Sequence, residues 1–473
     1  MEQINIGMIG GGTVGSGVFR ALEKNNALMT SRLGVKLKIT KVAVKAFDEP
    51  RPYKIPAATM TTDWTTVVND PNIRVVIELM GGTGLAKTII LAALNLGKPV
   101  ITANKALISE CGPELFAAAA KNHTNLYYEA SVAGGIPIIK TIREALVGNR
   151  FQQIYGIVNG TCNYTLTRMK NERAEFADIL KDAQKNGYAE AEPSLDVDGY
   201  DALHKTHILA SLAHGFWVDK KKILVEGIRS ISQTDIQFAD KLGYTIKLLG
   251  IVKTAPSLGA SAPTENRKLK TENSSGSAAG DKVQISVYPA LIPQTHVLAN
   301  VGDVYNAVFV RGDIVGDTLY YGRGAGKDAT ASAVLSDIAD AATDLVNTPP
   351  RRVPAFVAYG EWKRRPAAFS ESGRMPLPPT VMPAGEAISE FYLRLGVLDK
   401  PGVLARITAI FRDNKISIAS VVQPEDQAAA GNVPLIIMTH ACKEAALQKA
   451  LKQISRLAEV KTKPVLLRVE HFE

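Results

Sequence analysis

Residues 4–22 read Ile4-Asn5-Ile6-Gly7-Met8-Ile9-Gly10-Gly11-Gly12-Thr13-Val14-Gly15-Ser16-Gly17-Val18-Phe19-Arg20-Ala21-Leu22. A short apolar strand runs straight into a glycine turn, and helical spacing begins at Val18. That order opens a Rossmann-type dinucleotide-binding domain. Gly10 permits the tight turn, Gly12 lets backbone approach a pyrophosphate, and Gly15 lets the helix pack closely on the strand. The amides at the helix N-terminus, around Thr13 and Val14, are then donors to the phosphates. A glycine pattern alone is a weak signal; its place between strand and helix gives it weight.

Outward from this stretch the α/β pattern repeats. Leu37 to Val44 reads as the second strand. An NAD-selective site places an acid near the end of that strand, to hold the ribose hydroxyls. Lys45 stands there instead, with Arg51 a little beyond. A cation there favours the 2′-phosphate of NADP. Asp48 and Glu49 lie close enough to keep NAD open, and Lys45 also reads as a solvated loop lysine. Val75 to Met80 is the next strand, and Ile89 to Leu96 a helix closed by Gly97. Pro99 to Leu107 sets Thr102, Asn104 and Lys105 at the C-terminal end of a strand, where open parallel sheets bind ligands. Taken alone, a lysine after a strand is more often simply solvated. Leu126 to Ala130 is a further strand, entering Ser131-Val132-Ala133-Gly134-Gly135-Ile136-Pro137, a glycine-rich turn before a helix with Glu129 as a hard oxygen beside it.

The densest polar stretch is Gly187 to Lys205. It holds Glu190, Glu192, Asp196, Asp198, Asp201 and Lys205. Asp198 suits an N-cap, so a helix is expected from about Gly199, with Asp201 and Lys205 on one face. Two readings stand: a capped helix with a surface ion pair, or a site where loop acids hold a small polar substrate and the lysine moves a proton. Phe151 to Val158 alternates as a strand and ends in Asn159-Gly160-Thr161-Cys162-Asn163-Tyr164. Cys162 is the one cysteine near this chemistry, either an inert small residue or an acylating thiol.

The segment from Ala183 to Lys205 resembles the signature of homoserine dehydrogenases: Gly187, Pro193, then Asp196-Val197-x-Gly199-x-Asp201-x-x-x-Lys205. Glu192 departs from the usual Asp, Asn or Ser, keeping a carboxylate. Leu298 to Ala307 and Tyr321 to Val334 also resemble the family, with Ala329 where a proline is usual, as does Thr102-Ala103-Asn104-Lys105. The resemblance implies NAD(P)-dependent interconversion of L-aspartate 4-semialdehyde and L-homoserine, in threonine, methionine and isoleucine biosynthesis. It implies Lys205 as proton donor and acceptor, and Lys105 as a second lysine near the nicotinamide and the substrate. It implies Glu190, Asp196 and Asp201 as substrate-side acids, Gly187 and Gly302 beside the cofactor, and a monovalent cation such as Na+ held by Glu129, Val132, Gly134 and Ile136.

Lys222 to Ile228, Thr245 to Val252 and Val283 to Val287 suggest a mainly antiparallel α+β substrate and dimerisation domain. The stretch 254–281 is rich in Ser, Ala, Gly, Thr and Lys and reads as an inserted loop. A proline-rich linker over 348–385 precedes a β-α-β-β-α-β order that is ferredoxin-like. With its Asp399-Lys400-Pro401-Gly402-Val403-Leu404 helix entry, it resembles an ACT domain. That domain implies an amino-acid effector, L-threonine foremost. The expected division is 1–135 with about 315–347 for the nucleotide, 136–314 for catalysis and 386–473 for regulation.

A chain of 473 residues exceeds one core, and the 46% hydrophobic and 21% charged fractions fit a soluble enzyme. The net charge of +9 lies in small clusters with no aromatic interleaving, which argues against a nucleic-acid surface. No apolar run is of bilayer length, and no secretory leader is evident. The 3 cysteines are scattered, so a cytoplasmic setting without disulfides is expected. A homodimer or homotetramer is expected. Two rival classes are a thiol-acylating semialdehyde dehydrogenase using Cys162 and a non-catalytic amino-acid sensor.

Overall fold

The strand expected at the N-terminus forms as β1 (Gln3–Ile9) and occupies the middle of a parallel sheet. The structure, a computed structural model, describes residues 1–185, 192–255, 281–347, 379–424 and 432–472. It falls into two units. The first comprises Met1–Phe151, His204–Trp217 and Tyr305–Pro366; the second comprises Gln152–Leu203, Val218–Val304 and Ala367–Glu473.

In the first unit, α1 (Thr13–Leu33) follows β1, then β2 (Lys36–Ala43), β3 (Met60–Thr61), β4 (Ile73–Glu78), α2 (Gly84–Asn95), β5 (Val100–Thr102), α3 (Lys105–Lys121) and β6 (Leu126–Tyr127). The sheet order is β3-β2-β1-β4-β5-β6, every pair parallel, which is the doubly wound dinucleotide order. A sheet covered on both faces needs apolar strands. Ile4, Ile6, Met8, Val75 and Ile77 are accordingly in the core with Val18 and Leu22 of α1. Each such side chain contributes roughly 1.5–3 kcal/mol on burial. The helix Lys327–Val346 packs Val334, Ile338 and Ala341 into the same core. A hairpin of Tyr305–Gly312 and Gly316–Arg323 precedes it.

Leu126 to Ala130 is only partly strand. β6 stops at Tyr127 and a 3-10 turn covers Glu129–Ser131. The cause is Glu129, whose carboxylate turns inward to accept the N–H groups of Ile139 and Lys140.

The second unit runs through β7 (Phe151–Ile157), α4 (Gly160–Glu172), the start of α5 (Tyr200–His214), β8 (Tyr244–Ala255) and β9 (Lys282–Pro293). It continues with β10 (Ile388–Leu398), α6 (Val403–Asp413), β11 (Ile418–Val422), β12 (Asn432–Thr439), α7 (Glu444–Ile454) and β13 (Val465–Val469). The strand expected over Lys222 to Ile228 shrinks to Leu224–Val225, parallel to Ser286 and Val287 of β9. β8 and β9 form a long antiparallel ladder, as expected. β10 to β13 form the ferredoxin-like sheet, in order β13-β10-β12-β11, with Phe391, Leu395, Ile407, Phe411, Ile437 and Ile454 in its core. β13 also pairs in parallel with β9, through Ala290–Arg468 and Leu291–Val469, so this sheet continues the β7-β8-β9 ladder. Most of the expected insert and linker, at 256–280 and 348–378, lies outside the described residues.

Candidate active site

The glycine turn has the geometry a dinucleotide needs. Gly10 sits at φ +101°, and a Cβ there would meet the Leu79 carbonyl at 2.6 Å. A Cβ on Gly15 would lie 2.0 Å from the Gly10 oxygen, so close helix packing demands glycine. Gly12 has nothing within 4 Å of a built Cβ, leaving its backbone open to a ligand beside Thr13 and Val14, at the start of the 21-residue α1. Lys45 is exposed just past β2. Arg51 reaches closer: its Nε donates to the Gly11 carbonyl at 3.3 Å, and its Nη atoms donate to Phe47 and Ala46 carbonyls at 2.9 Å each.

At the C-terminal ends of β4 and β5, Glu78 organises the edge. Its carboxylate accepts the Thr102 hydroxyl at 2.7 Å and the N–H groups of Met80 and Gly81 at 2.9 and 3.2 Å. Asn104 caps α3 by accepting the Leu107 N–H at 3.1 Å, and its own amide donates to the Gly82 carbonyl at 2.7 Å. Lys105, half-buried, is thereby the first residue of α3. One turn on, Ser109 Oγ is 2.9 Å from His207 Nδ1 of α5, so the helices bearing Lys105 and Lys205 are joined. The His207 ring meets Trp217 edge-on at 5.1 Å.

The glycine-rich turn carries Val132, Gly134 and Ile136, all buried, with Ala133 and Gly134 both at positive φ. A Cβ on Gly134 would lie 2.7 Å from the Gly324 oxygen, so the Tyr321–Lys327 motif packs against this turn. Burial pushes the Glu129 carboxyl up to about 7, against the opposing pull of the Lys140 and Ile139 N–H groups and the cations Arg143 and Lys140. Asp337 accepts the Glu129 N–H at 3.0 Å, and burial also pushes its carboxyl well up. Among the described residues no cluster of three or more His, Cys, Asp or Glu could hold a metal ion. A cation here would therefore rest on backbone carbonyls and the Glu129 carboxylate.

In the second unit, Asn159 caps α4 by accepting the Cys162 N–H at 2.8 Å. Its amide donates to Asp196 Oδ1 at 2.7 Å and Asp201 Oδ2 at 2.9 Å. Thr161 Oγ1 adds a bond to Asp196 Oδ2 at 3.2 Å. Asp201 and Lys205 are 8% and 7% exposed, which excludes the surface ion-pair reading. Asp198 does not behave as the expected cap: both its oxygens accept the Arg229 guanidinium, at 2.5 and 3.1 Å. Cys162 is fully buried and its thiol donates to the Asp196 carbonyl at 3.2 Å, the inert reading. Gly302 lies in a turn against Thr167 of α4. Gly187 and Glu190 lie outside the described residues.

The comparisons with known proteins agree with one another. The family model described as homoserine dehydrogenase matches residues 137–339, that for the homoserine dehydrogenase NAD binding domain residues 10–129, and that for the ACT domain residues 391–459. A homoserine dehydrogenase of Pseudomonas aeruginosa is 39% identical over 473 residues, covering 100% of both chains. The chain belongs to the homoserine dehydrogenase family. A Bacillus subtilis member is 34% identical over 470 residues, covering 99% of each chain. The solved structure of a homoserine dehydrogenase from Thiobacillus denitrificans is 38% identical, with a TM-score of 0.84 and 99% of each chain covered. The protein is thus an oxidoreductase with a nicotinamide-dinucleotide domain, a homoserine dehydrogenase domain and an ACT domain. Among the described residues no helix is long and apolar enough to cross a membrane.

Several site residues carry only faint signals in the sequence. Asn159 sits in a turn segment, where an Asn closing an apolar strand and starting a helix is a cap signal. Glu78 follows the apolar run Val75 to Ile77 at the end of β4, a visible oddity. Asp337 had only the signal of an acid inside an apolar helix stripe.

Proposed function

We propose that this enzyme interconverts L-homoserine and L-aspartate 4-semialdehyde with Lys205 as the proton-transfer group. One observation carries the reading: the Asn159 amide donates to both Asp196 and Asp201, with Lys205 buried one helical turn beyond Asp201. The nicotinamide dinucleotide, when bound, supplies or accepts the hydride. Negative charge developing on the aldehyde oxygen is stabilised by the Lys205 ammonium, which then donates its proton there. In the oxidising direction its neutral amine takes the hydroxyl proton. Asp201 and Glu190 hold the substrate's hydroxyl and amino group, Asp196 adjusts Lys205, and Lys105 orients the same region. Asn159 keeps the two aspartates from rotating away.

Gly10, Gly12, Thr13, Val14 and Gly15 hold the pyrophosphate. Thr102, Lys105, Gly187 and Gly302 serve the nicotinamide side. Lys45 and Arg51 favour NADP over NAD, Arg51 because its guanidinium already lies against Gly11. We also propose 1–135 with about 315–347, 136–314 and 386–473 as the functional domains, in a cytoplasmic homo-oligomer whose ACT domain takes L-threonine. The first test is the initial rate of nicotinamide reduction with L-homoserine, using NADP and NAD side by side, with and without L-threonine. A faster rate with NADP and inhibition by L-threonine are expected. No homoserine-dependent rate with either dinucleotide would sink the reading.

We assign a monovalent cation to Glu129, Val132, Gly134 and Ile136. Exchanging sodium for a bulky organic cation at constant ionic strength is expected to lower the melting temperature. Glu129→Gln should abolish that sodium dependence. A wild-type melting temperature indifferent to sodium would remove the assignment.

A further inference from the structure

We propose that Lys247 and Asn163 form a positioning clamp that holds the Val301–Asp303 turn, and with it Gly302, in the shape that receives the dinucleotide. This rests on the reading above that Gly302 serves the cofactor. Lys247 lies on β8 and is 3% exposed. Its Nζ donates to the Val301 carbonyl at 2.5 Å and to Asn163 Oδ1 at 3.1 Å. The other end of the Asn163 amide donates to the Asp303 carbonyl at 3.0 Å. Thr167 Oγ1 accepts the Asp303 N–H at 3.2 Å. The turn is therefore gripped on both sides of Gly302, at Val301 and at Asp303.

The grip is needed because the turn is strained. Asp303 has φ +52°, a left-handed conformation that costs a non-glycine residue on the order of 1–2 kcal/mol. Such backbone persists only where its surroundings fix it, and it gathers at ligand sites. The gripping residues also have a common origin. Asn159, Asn163 and Thr167 are four residues apart and form one stripe on α4. The stripe's first member orients Asp196 and Asp201; its second and third hold the Gly302 turn. One rigid helix thus sets the spacing between the substrate carboxylates and the turn. A cavity of about 300 Å³ opens alongside, lined by Thr167, Lys170, Thr245, Lys247, Asn300 and Gly302.

Lys247 is an expensive choice for mere packing. Both acceptors are neutral, and burial pushes its ammonium down to about 8. A methionine of similar length would avoid that desolvation, as apolar replacements of buried ions often do. A positioning role therefore makes stability and cofactor affinity move apart, which a structural role does not.

The test uses the full-length protein. Lys247→Met is compared with wild type for dinucleotide Kd in the absence of substrate, for KM and kcat, and for melting temperature. Kd and KM for the dinucleotide are expected to rise about tenfold or more, as for the loss of a hydrogen bond from a charged donor. At saturating dinucleotide, kcat should change far less, and the melting temperature should stay at or above that of wild type. Thr167→Val should raise Kd in the same direction by a smaller factor, and it decides the matter if Lys247→Met does not fold. A Kd within about twofold of wild type in folded variants overturns the clamp, as does a parallel loss of affinity and stability in both. Gly302→Ala tests the underlying reading separately, since its Cβ would meet only Thr167 at 3.4 Å: an unchanged dinucleotide Kd there removes Gly302 from the cofactor, whereas a raised Kd there with Lys247→Met and Thr167→Val unchanged removes the clamp alone.

Discussion

Lys205→Met is expected to lower turnover of L-homoserine by about three orders of magnitude, while dinucleotide Kd stays close to that of wild type. Methionine preserves the length and apolar stem, so a side chain that is 7% exposed still fills its place. What disappears is the proton and the charge. General acid–base groups contribute typically 10²–10⁴-fold, and a cation aimed at a developing oxyanion adds to that. The helix itself should survive, because His207, two residues on, still bonds to Ser109. Stopped-flow or steady-state rates in both directions, with Kd by fluorescence titration, make the check. Turnover within tenfold of wild type would remove Lys205 from the chemistry. A large loss of cofactor affinity with turnover per bound site intact would move it to a binding role.

The largest effect on stability is expected at Arg468. Its side chain is 1% exposed and grips two carboxylates: Glu226 at 2.5 and 2.8 Å, and Glu444 at 3.1 and 2.8 Å. The guanidinium also lies 4.7 Å from the Tyr288 ring centroid. Removing one partner of a buried ionic group leaves the other uncompensated, at a cost of about 3–5 kcal/mol. Arg468→Met should therefore lower the melting temperature by about 10 °C, at roughly 2–4 °C per kcal/mol for a unit of this size. Adding Glu226→Gln and Glu444→Gln should restore part of the loss, since the orphaned charges go with them. A single variant melting within about 2 °C of wild type would contradict this account.

The same residue bears on how regulation can be studied. Arg468 belongs to β13, which closes the ferredoxin-like sheet and also pairs with β9. Two positions on, Glu470 accepts the hydroxyls of Tyr155 at 3.1 Å and Tyr288 at 2.7 Å and pairs with Lys253. Cutting the chain before this region would uncover a strand edge and strand a lysine and two tyrosines beside it. Point substitutions within the ACT domain are therefore the cleaner test of the proposed response to L-threonine.

What was legible in the sequence is what short-range physics writes. A strand, a glycine turn and a helix are adjacent in the chain, so the nucleotide half could be read from Ile4 to Leu22. The β-α-β-β-α-β order of the C-terminal segment is a local pattern of the same kind. The Asp196 to Lys205 spacing marked the polar site, but not its shape. Asn159 reaches Asp196 and Asp201 across 37 and 42 residues, Asp337 reaches Glu129 across 208, and Arg468 reaches Glu226 across 242. No local pattern encodes such pairings. They exist because burial leaves a charged or polar group only the partners that packing brings within hydrogen-bond distance. By itself, then, the sequence determined the element types, the dinucleotide turn and the identity of the acids and lysines. Tertiary structure alone decided that an asparagine sets the carboxylates, that a lysine holds the Gly302 turn, and that the ferredoxin-like sheet is continuous with the β7-β8-β9 ladder. Each of these depends on which strands and helices come to lie side by side.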